Sequence, residues 1–465
     1  MSRREYGVVI LAIFSAAALL SFLLRKRRDG ILVFTALCAF ILRLVYIIYT
    51  PTDIRQHDVI GFGGTRGQAA YIEWFYNNGL KLIQTDPRDK WGFFQPPLHH
   101  VLAAGWLKLN TLMGVPYARA TENIQYLTLI YSLILLFYAY RLFKYFKLSG
   151  KALYAAFALV AFHPSFILLS GSVNNDMLCI LLTVMTVYYA LKWYDSRSYA
   201  DIIKTALCMG LSMMTKLSGV LSAPAVAFLF LYVWIKGGRS DFLKYLKEYL
   251  IFGLISVPIG MWFPIRSYLK FGIPLNYTPV VGERLIYNSP LSRIIDIRTY
   301  KPYVSMIKYG DPYDEYNIPL SLMKTSLTGE FDYTSVNRYI TPFAWILLAA
   351  GTVLALICLA ATVRMVLKKI PGRDRIPDIY IGIIYVTALA FYLNLAFGIP
   401  NFSSQDFRYI CYIIVIEALS FGSVLIYNEP SGEAKTGGLP ANLILAVTGG
   451  FCAAGAAVYL LLGLP

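Results

Sequence analysis

Residues 31–58 read ILVFTALCAFILRLVYIIYT followed by PTDIRQHD. The first part is an apolar run of the length a bilayer crossing needs, about 20 residues. Arg43 is its only charge. Immediately beyond it Thr52, Asp53, Arg55, Gln56, His57 and Asp58 crowd into one short polar stretch. Within hydrocarbon every backbone polar group must be paired inside the segment, so a run of this kind is a helix. Similar runs recur at 6–24, 118–140, 152–169, 176–194, 201–214, 218–235, 249–265, 341–363, 378–397, 409–427 and 441–462. With 31–50 they make twelve expected spans. The composition agrees: 57% hydrophobic and 15% charged residues, with a mean hydropathy of +0.57. Those values exclude a disordered chain and an ordinary water-soluble enzyme. The expected fold is all-α: a polytopic membrane protein of about 12 transmembrane helices, with two large outer loops that contain interfacial helices.

Basic residues in short loops set orientation. Arg25–Arg28, then Arg141/Lys144/Lys147/Lys151, Lys236/Arg239/Lys244/Lys247 and Arg364/Lys368/Lys369/Arg373/Arg375 mark one side, read as cytoplasmic. Both termini then fall outside. Most of the net charge of +16 lies on the cytoplasmic side. It therefore reports topology rather than a nucleic-acid partner, for which there is no soluble basic domain. No small-residue cleavage site follows 6–24, so it is read as an anchor and not a signal peptide. Residues 95–112 are also apolar, but a crossing there would invert every later loop. They are read as a helix at the outer interface, started by Pro96-Pro97. Cys38, Cys179, Cys208, Cys358, Cys411 and Cys452 all lie in apolar runs and form no CxxC pair, which makes them core filling.

The long outer segments, 51–117 and 267–340, are where chemistry on such a scaffold is placed. Four constellations fall on that side. Thr52–Asp58 offers Asp58 or Asp53 as a general base, against the plain reading of a solvated loop. With His57 the two acids could also hold a divalent cation such as Mg or Mn, although the spacing is no specific metal motif. No other cofactor is indicated, since Walker, GxGxxG and GxSxG motifs are absent. Gln95, His99 and His100 flank Pro96-Pro97, and three of the four histidines lie in this one loop. Adjacent histidines face different sides of a helix, so hydrogen bonding to a substrate suits them better than joint metal ligation. Asn174-Asn175-Asp176 opens a span; Asn175 is there either an N-cap or a binding residue beside the acid. Lys216, Arg266 and Arg408 are isolated cations at outer helix ends. They either snorkel to headgroups or bind phosphate. Arg43 and Glu417 lie within spans, where charges are functional candidates by default, though Arg43 is close enough to the outer end to snorkel.

These elements resemble the GT-C superfamily of integral-membrane glycosyltransferases, in particular the protein O-mannosyltransferase and lipid A aminoarabinose transferase branch. The resemblance rests on Leu42-Arg43-Leu44, Asp53 and Asp58, Pro96-Pro97-Leu98, Asn175-Asp176 and Thr215-Lys216-Leu217-Ser218-Gly219. Arg266 with Gly272-Ile273-Pro274-Leu275, and Arg408-Tyr409, complete it. It covers 38–270 and touches 399–412. Asp-Glu is not adjacent in the first loop, and Gln95 stands where aminoarabinose-transferase-like sequences carry Lys. The resemblance implies a polyprenyl-phosphate sugar as donor and a glycan, lipid or protein hydroxyl as acceptor. It implies Asp58 as base, Asp176 as a second carboxylate, and Arg266, Lys216 and Arg408 on the donor phosphate. Arg55, His57, Gln95, His99, His100 and Asn175 remain for other substrate contacts. On this reading 1–30 is an extra N-terminal helix, 31–270 the catalytic module, 267–340 a tyrosine-rich lid and 341–465 the closing helices. The expected location is the cell membrane with the active site on the extracytoplasmic face. A transporter or lipid flippase is the alternative from another class, and a lipid-pyrophosphate-dependent glycan polymerase or ligase the alternative within the same one.

Overall fold

The computed structural model describes residues 30–237, 241–279, 284–297, 316–333, 336–368, 373–428 and 441–464. Their regular structure is helical, without strands. The expected span at 6–24 lies outside the described residues, as do Tyr300, Tyr303, Tyr309 and Tyr313 of the expected lid.

In chain order the helices are α1 (Gly30–Tyr49), α2 (Gly67–Asn77), α3 (Leu98–Leu112), α4 (Tyr117–Glu122), α5 (Ile124–Tyr145), α6 (Gly150–Phe162) and α7 (Pro164–Ser170). They continue as α8 (Asp176–Ser196), α9 (Tyr199–Thr215), α10 (Ala223–Gly237), α11 (Phe242–Phe271), α12 (Ser292–Ile295) and α13 (Ile318–Thr328). The last are α14 (Ile340–Leu367), α15 (Ile376–Gly398), α16 (Ile413–Asn428) and α17 (Ala441–Leu461). Eight segments are long and apolar enough to cross a membrane, and ten if two bent pairs each count as one span. Of the twelve expected spans, 6–24 lies outside the described residues, ten are matched when each bent pair counts as one, and 201–214, which forms α9, is not among the segments long and apolar enough to cross. The bent pairs are α6 with α7, at 46°, and Phe402–Ile410 with Ile413–Ile426, at 52°. At 17 residues, α9 sits at the lower limit for a crossing.

The first bend has a readable cause. Pro164 has no N–H and cannot continue α6, so it opens α7 instead. The His163 imidazole accepts the Ser165 N–H at 3.3 Å, which leaves the Ala161 carbonyl without its helical donor. Arg43 fills the gap: Nη1 donates to Ala161 O at 2.6 Å and to Ala39 O at 3.1 Å, and Nε to Ser132 Oγ at 2.9 Å. Arg43 is fully buried. The snorkelling expected of it is thus replaced by repair of a broken helix. Glu417 accepts from the Tyr385 hydroxyl at 2.9 Å, away from the polar loops.

The bundle packs α9 against α8 and α11, α14 against α16 and α17, α5 against α8, and α10 against α15. A second, smaller core lies under the loop 51–117, where Val59, Tyr71, Phe75, Phe93, Ala103 and Leu107 are buried together. That loop is therefore a folded layer of α2 on α3, not a free tether. Its turn depends on glycine. Gly67 has φ +88, and a Cβ there would lie 2.5 Å from the Val59 carbonyl oxygen. The layer is tied down by Gly67 N–H donating to Trp91 O at 2.7 Å. At 15 residues α3 is not among the segments able to cross, and it buries His99, His100, Ala103, Ala104, Leu107 and Asn110 while exposing Leu109 and Leu112.

Candidate active site

The polar cluster is built where α1, α9 and α15 end and α8 begins. Arg408 is its hub. It stands in the 3-10 turn Phe407–Ile410 after α15, with a side chain 6% exposed. Its Nη1 donates to Asp58 Oδ2 at 2.6 Å and to Asp176 Oδ2 at 3.3 Å, while Nε donates to Asp406 Oδ2 at 3.1 Å. Lys216 donates to the other carboxylate oxygen of Asp176 and sits 4.9 Å above the centre of the Tyr409 ring. Charge-assisted pairs of this kind are the strong ones, because burial raises both the attraction and the cost of leaving a partner out.

Local structure aims these groups. Asp58 lies in the left-handed region at φ 62, and Arg55 and Ile60 do so at φ 52 and 65. Three such non-glycine residues within six positions concentrate backbone strain in the stretch, a pattern that clusters at functional sites. Gln56 bolts the stretch to the turn before α8: Nε2 donates to Gly171 O at 3.0 Å and Oε1 accepts the Val173 N–H at 2.9 Å. Asn174 Nδ2 donates to Asp176 Oδ2 at 2.8 Å, and its Oδ1 accepts the Asp176 N–H at 3.1 Å. The Asp58 side chain is 29% exposed and that of Asp176 1%. Asp58 is thus the carboxylate that a substrate can reach, and Asp176 the one that holds the cations.

His57, from the same stretch, meets the cluster at Asp406, the acid that Arg408 also holds. Its Nδ1 lies 3.0 Å from Glu330 Oε1 and 3.5 Å from Asp406 Oδ2. Burial disfavours its charged form, but Asp406 and Glu330 outweigh burial, and His57 holds a proton more tightly than an ordinary imidazole. Glu330, despite burial, is held below the usual carboxylate range by His57.

The remaining sequence candidates are scattered. Asp53 is exposed. Arg55 donates to Thr50 Oγ1 at 3.0 Å and stacks over Tyr46 and Tyr49. Gln95 makes a backbone turn to Gly92. His99 bonds the Val173 carbonyl at 2.8 Å, and His100 packs on Tyr71 with ring centres 4.5 Å apart. Both histidines are fully buried; burial lowers His99 to about 4 and His100 well below its ordinary value. Asn175 makes no side-chain cap for α8; its Nδ2 donates to Thr215 O at 2.8 Å and ties α9 to α8. Arg266, on α11, stands apart from the cluster. Its Nη2 donates to Ile83 O at 2.6 Å, and its buried Nη1 has no partner. It lines a groove of about 480 Å³ with Phe75, Leu82, Leu98, Val101, Met214 and Trp262. Met214 lines the groove, and Lys216, two residues on in the chain, lines the cluster.

Residues 96–262 match the family described as dolichyl-phosphate-mannose-protein mannosyltransferase. Among solved structures, ArnT from Cupriavidus metallidurans in the apo state is 12% identical, with a TM-score of 0.51 over 94% of this chain and 76% of that one. The fold is GT-C-like, and residues 96–262, less than half of the chain, are similar to that mannosyltransferase family. ArnT bound to undecaprenyl phosphate gives 13% identity and a TM-score of 0.50 over 94% of this chain and 77% of ArnT. The Archaeoglobus fulgidus oligosaccharyltransferase in the apo form is 12% identical, with a TM-score of 0.51 over 94% of this chain. The chain spans only 56% of that protein's length. No curated protein sequence matches significantly.

Asp58, Asp176, Lys216 and Arg408 stand out in the sequence, whereas Asp406, which pairs with Arg408, and Glu330, which pairs with His57, do not. Asp406 stands two residues before Arg408 and caps the 3-10 turn; the run Asp-x-Arg was its only signal. Glu330 follows a glycine in a loop between helices, and nothing local marks it.

Proposed function

We propose that this transferase moves a sugar from a polyprenyl-phosphate donor to an acceptor hydroxyl on the outer face of the cell membrane, with inversion at the anomeric carbon. The observation that carries the reading is the convergence of Asp58 and Asp176 on the single guanidinium of Arg408, with Asp58 the open member. Asp58 takes the proton of the acceptor hydroxyl. The acceptor oxygen then forms its bond to the anomeric carbon as the bond to the phosphate oxygen breaks. The phosphate leaves with that electron pair, so negative charge grows there, and cations placed at that point stabilise the transition state. Arg266 supports a phosphate position: it lines a groove whose apolar walls suit a prenyl chain, and its buried Nη1 has no partner. Lys216 and Arg408, oriented by Asp176, are the further cations proposed for the donor phosphate. The undecaprenyl phosphate in the ArnT structure is a ligand of the same chemical class.

The test is transfer of label from radiolabelled polyprenyl-phosphate sugars by membranes carrying wild type, Asp58→Asn or Arg266→Ala. General-base catalysis contributes roughly 10²–10⁴-fold, and Asp58→Asn is expected to lose that much. Normal turnover by Asp58→Asn sinks the assignment of the base. Ion-coupled uptake of a solute into proteoliposomes, without transfer, sinks the reading as a whole in favour of a transporter.

A further inference from the structure

We propose that His57, Glu330 and Asp406 hold a divalent cation of the manganese class, beside the proposed base. Nδ1 of His57, a carboxylate oxygen of Glu330 and one of Asp406 all lie within 4.8 Å of one another. His57 Nδ1 is 3.0 Å from the first and 3.5 Å from the second. Ligands bound at about 2.0–2.2 Å around one ion stand roughly 3–3.5 Å apart, so the set is nearly closed without moving the backbone. The three residues come from three separate loops. Folding has gathered them, and no local motif would have.

Charge supplies the second argument. Four carboxylates meet here: Asp58, Asp176, Glu330 and Asp406. The cations in contact with them among the described residues are Lys216 and Arg408. Arg408 spends its contacts on Asp58, Asp176 and Asp406, and Lys216 on Asp176. A protonated His57 would offset one more charge and still leave the group negative. Uncompensated negative charge in a buried setting is costly. A dication bound to His57, Glu330 and Asp406 cancels it.

The third argument is access. The side chains of His57 and Asp406 are 2% and 3% exposed, whereas that of Glu330 is 23% exposed. The cluster therefore has one open side through which an ion, and a water or substrate oxygen as its next ligand, can reach the three donors. Gly329 makes this approach feasible. It has φ +62, and a Cβ there would lie 3.0 Å from His57 Nε2 and 2.9 Å from a Leu168 methyl. Only glycine lets the chain bring Glu330 so close to the imidazole. One imidazole nitrogen with two carboxylate oxygens suits an ion that accepts both donor types. That favours Mn²⁺ over Mg²⁺, which prefers oxygen alone and keeps its waters.

Binding stands on these three ligands; the ion's placement next to the base rests on the transfer reading above. Purified protein in detergent, stripped with chelator, would be titrated with Mn²⁺ and the free ion followed by electron paramagnetic resonance. One site is expected in the wild type, weakened at least tenfold in Glu330→Gln and in Asp406→Asn, and retained in Arg266→Ala. Should Asp406→Asn fail to fold, Glu330→Gln, at the open side, carries the comparison. Tenfold excess Mg²⁺ is expected to leave Mn²⁺ bound; ready displacement overturns the choice of ion. Absence of a site in the wild type, or equal binding by Glu330→Gln, overturns the proposal. Wild-type binding without sugar transfer would refute the function while leaving the ion site standing.

Discussion

Replacing Arg408 by Gln tests the hub most directly. The change removes the donor shared by Asp58, Asp176 and Asp406. The oxygens of Asp58 and Asp176 that meet Nη1 at 2.6 and 3.3 Å can be no further apart than about 6 Å. At that separation two unit charges repel by about 3 kcal/mol at an effective dielectric of about 20. That agrees with the roughly 3–5 kcal/mol lost when one partner of a buried ion pair is deleted. Thermal denaturation in one detergent would be followed for wild type, Arg408→Gln, Asp58→Asn and the double variant. Arg408→Gln should melt well below wild type, and adding Asp58→Asn should restore part of the loss, because one of the two facing charges is gone. The reasoning would be refuted if the double variant melted as low as the sum of the single losses requires. Additivity would mean that Arg408 does not mediate between the two acids.

Three further outcomes follow from other contacts. His99 is held neutral in the fold, near 4, against about 6.5 when unfolded. Its contribution is therefore complete above about pH 6.5 and is lost on acidification towards 4, by about 1.4 kcal/mol per unit. Melting midpoints at pH 7.5 and 5 should converge for His99→Gln relative to wild type; an unchanged slope refutes this. Gly329→Ala, at φ +62 and pressed against Leu168 and His57, should cost about 1–3 kcal/mol and reduce transfer, and wild-type stability would exclude the close approach. Arg43→Met should strand the Ala161 carbonyl and lower the melting midpoint by the equivalent of about 1–3 kcal/mol. Because Arg43 touches none of the clustered acids, transfer at low temperature should persist.

Much of this protein is legible in its sequence because the bilayer enforces local rules. A hydrocarbon layer admits only helices of a given length, so the runs at 31–50, 176–194 and 378–397 become α1, α8 and α15 almost residue for residue. Breaks were less legible. The pair His163-Pro164 splits one run into α6 and α7, and a span that reads as continuous proves bent by 46°. The polar stretch 52–58 was visible as unusual, and Asp58, Asp176, Lys216 and Arg408 were each visible at helix ends. Their pairing was not.

The sequence alone therefore determined the class of fold, the helices that build it and the ends at which charge collects, because hydropathy and helix length act over one segment at a time. Tertiary structure alone decided that Arg408, not Arg266, joins the acids, that Arg43 repairs a helix, and that Glu330 and Asp406 close on His57. Those facts depend on contacts across 350 residues between Asp58 and Arg408 and 273 between His57 and Glu330. Such contacts exist only once the helices have packed and buried the charges, which makes each acid's partner a matter of survival for the fold.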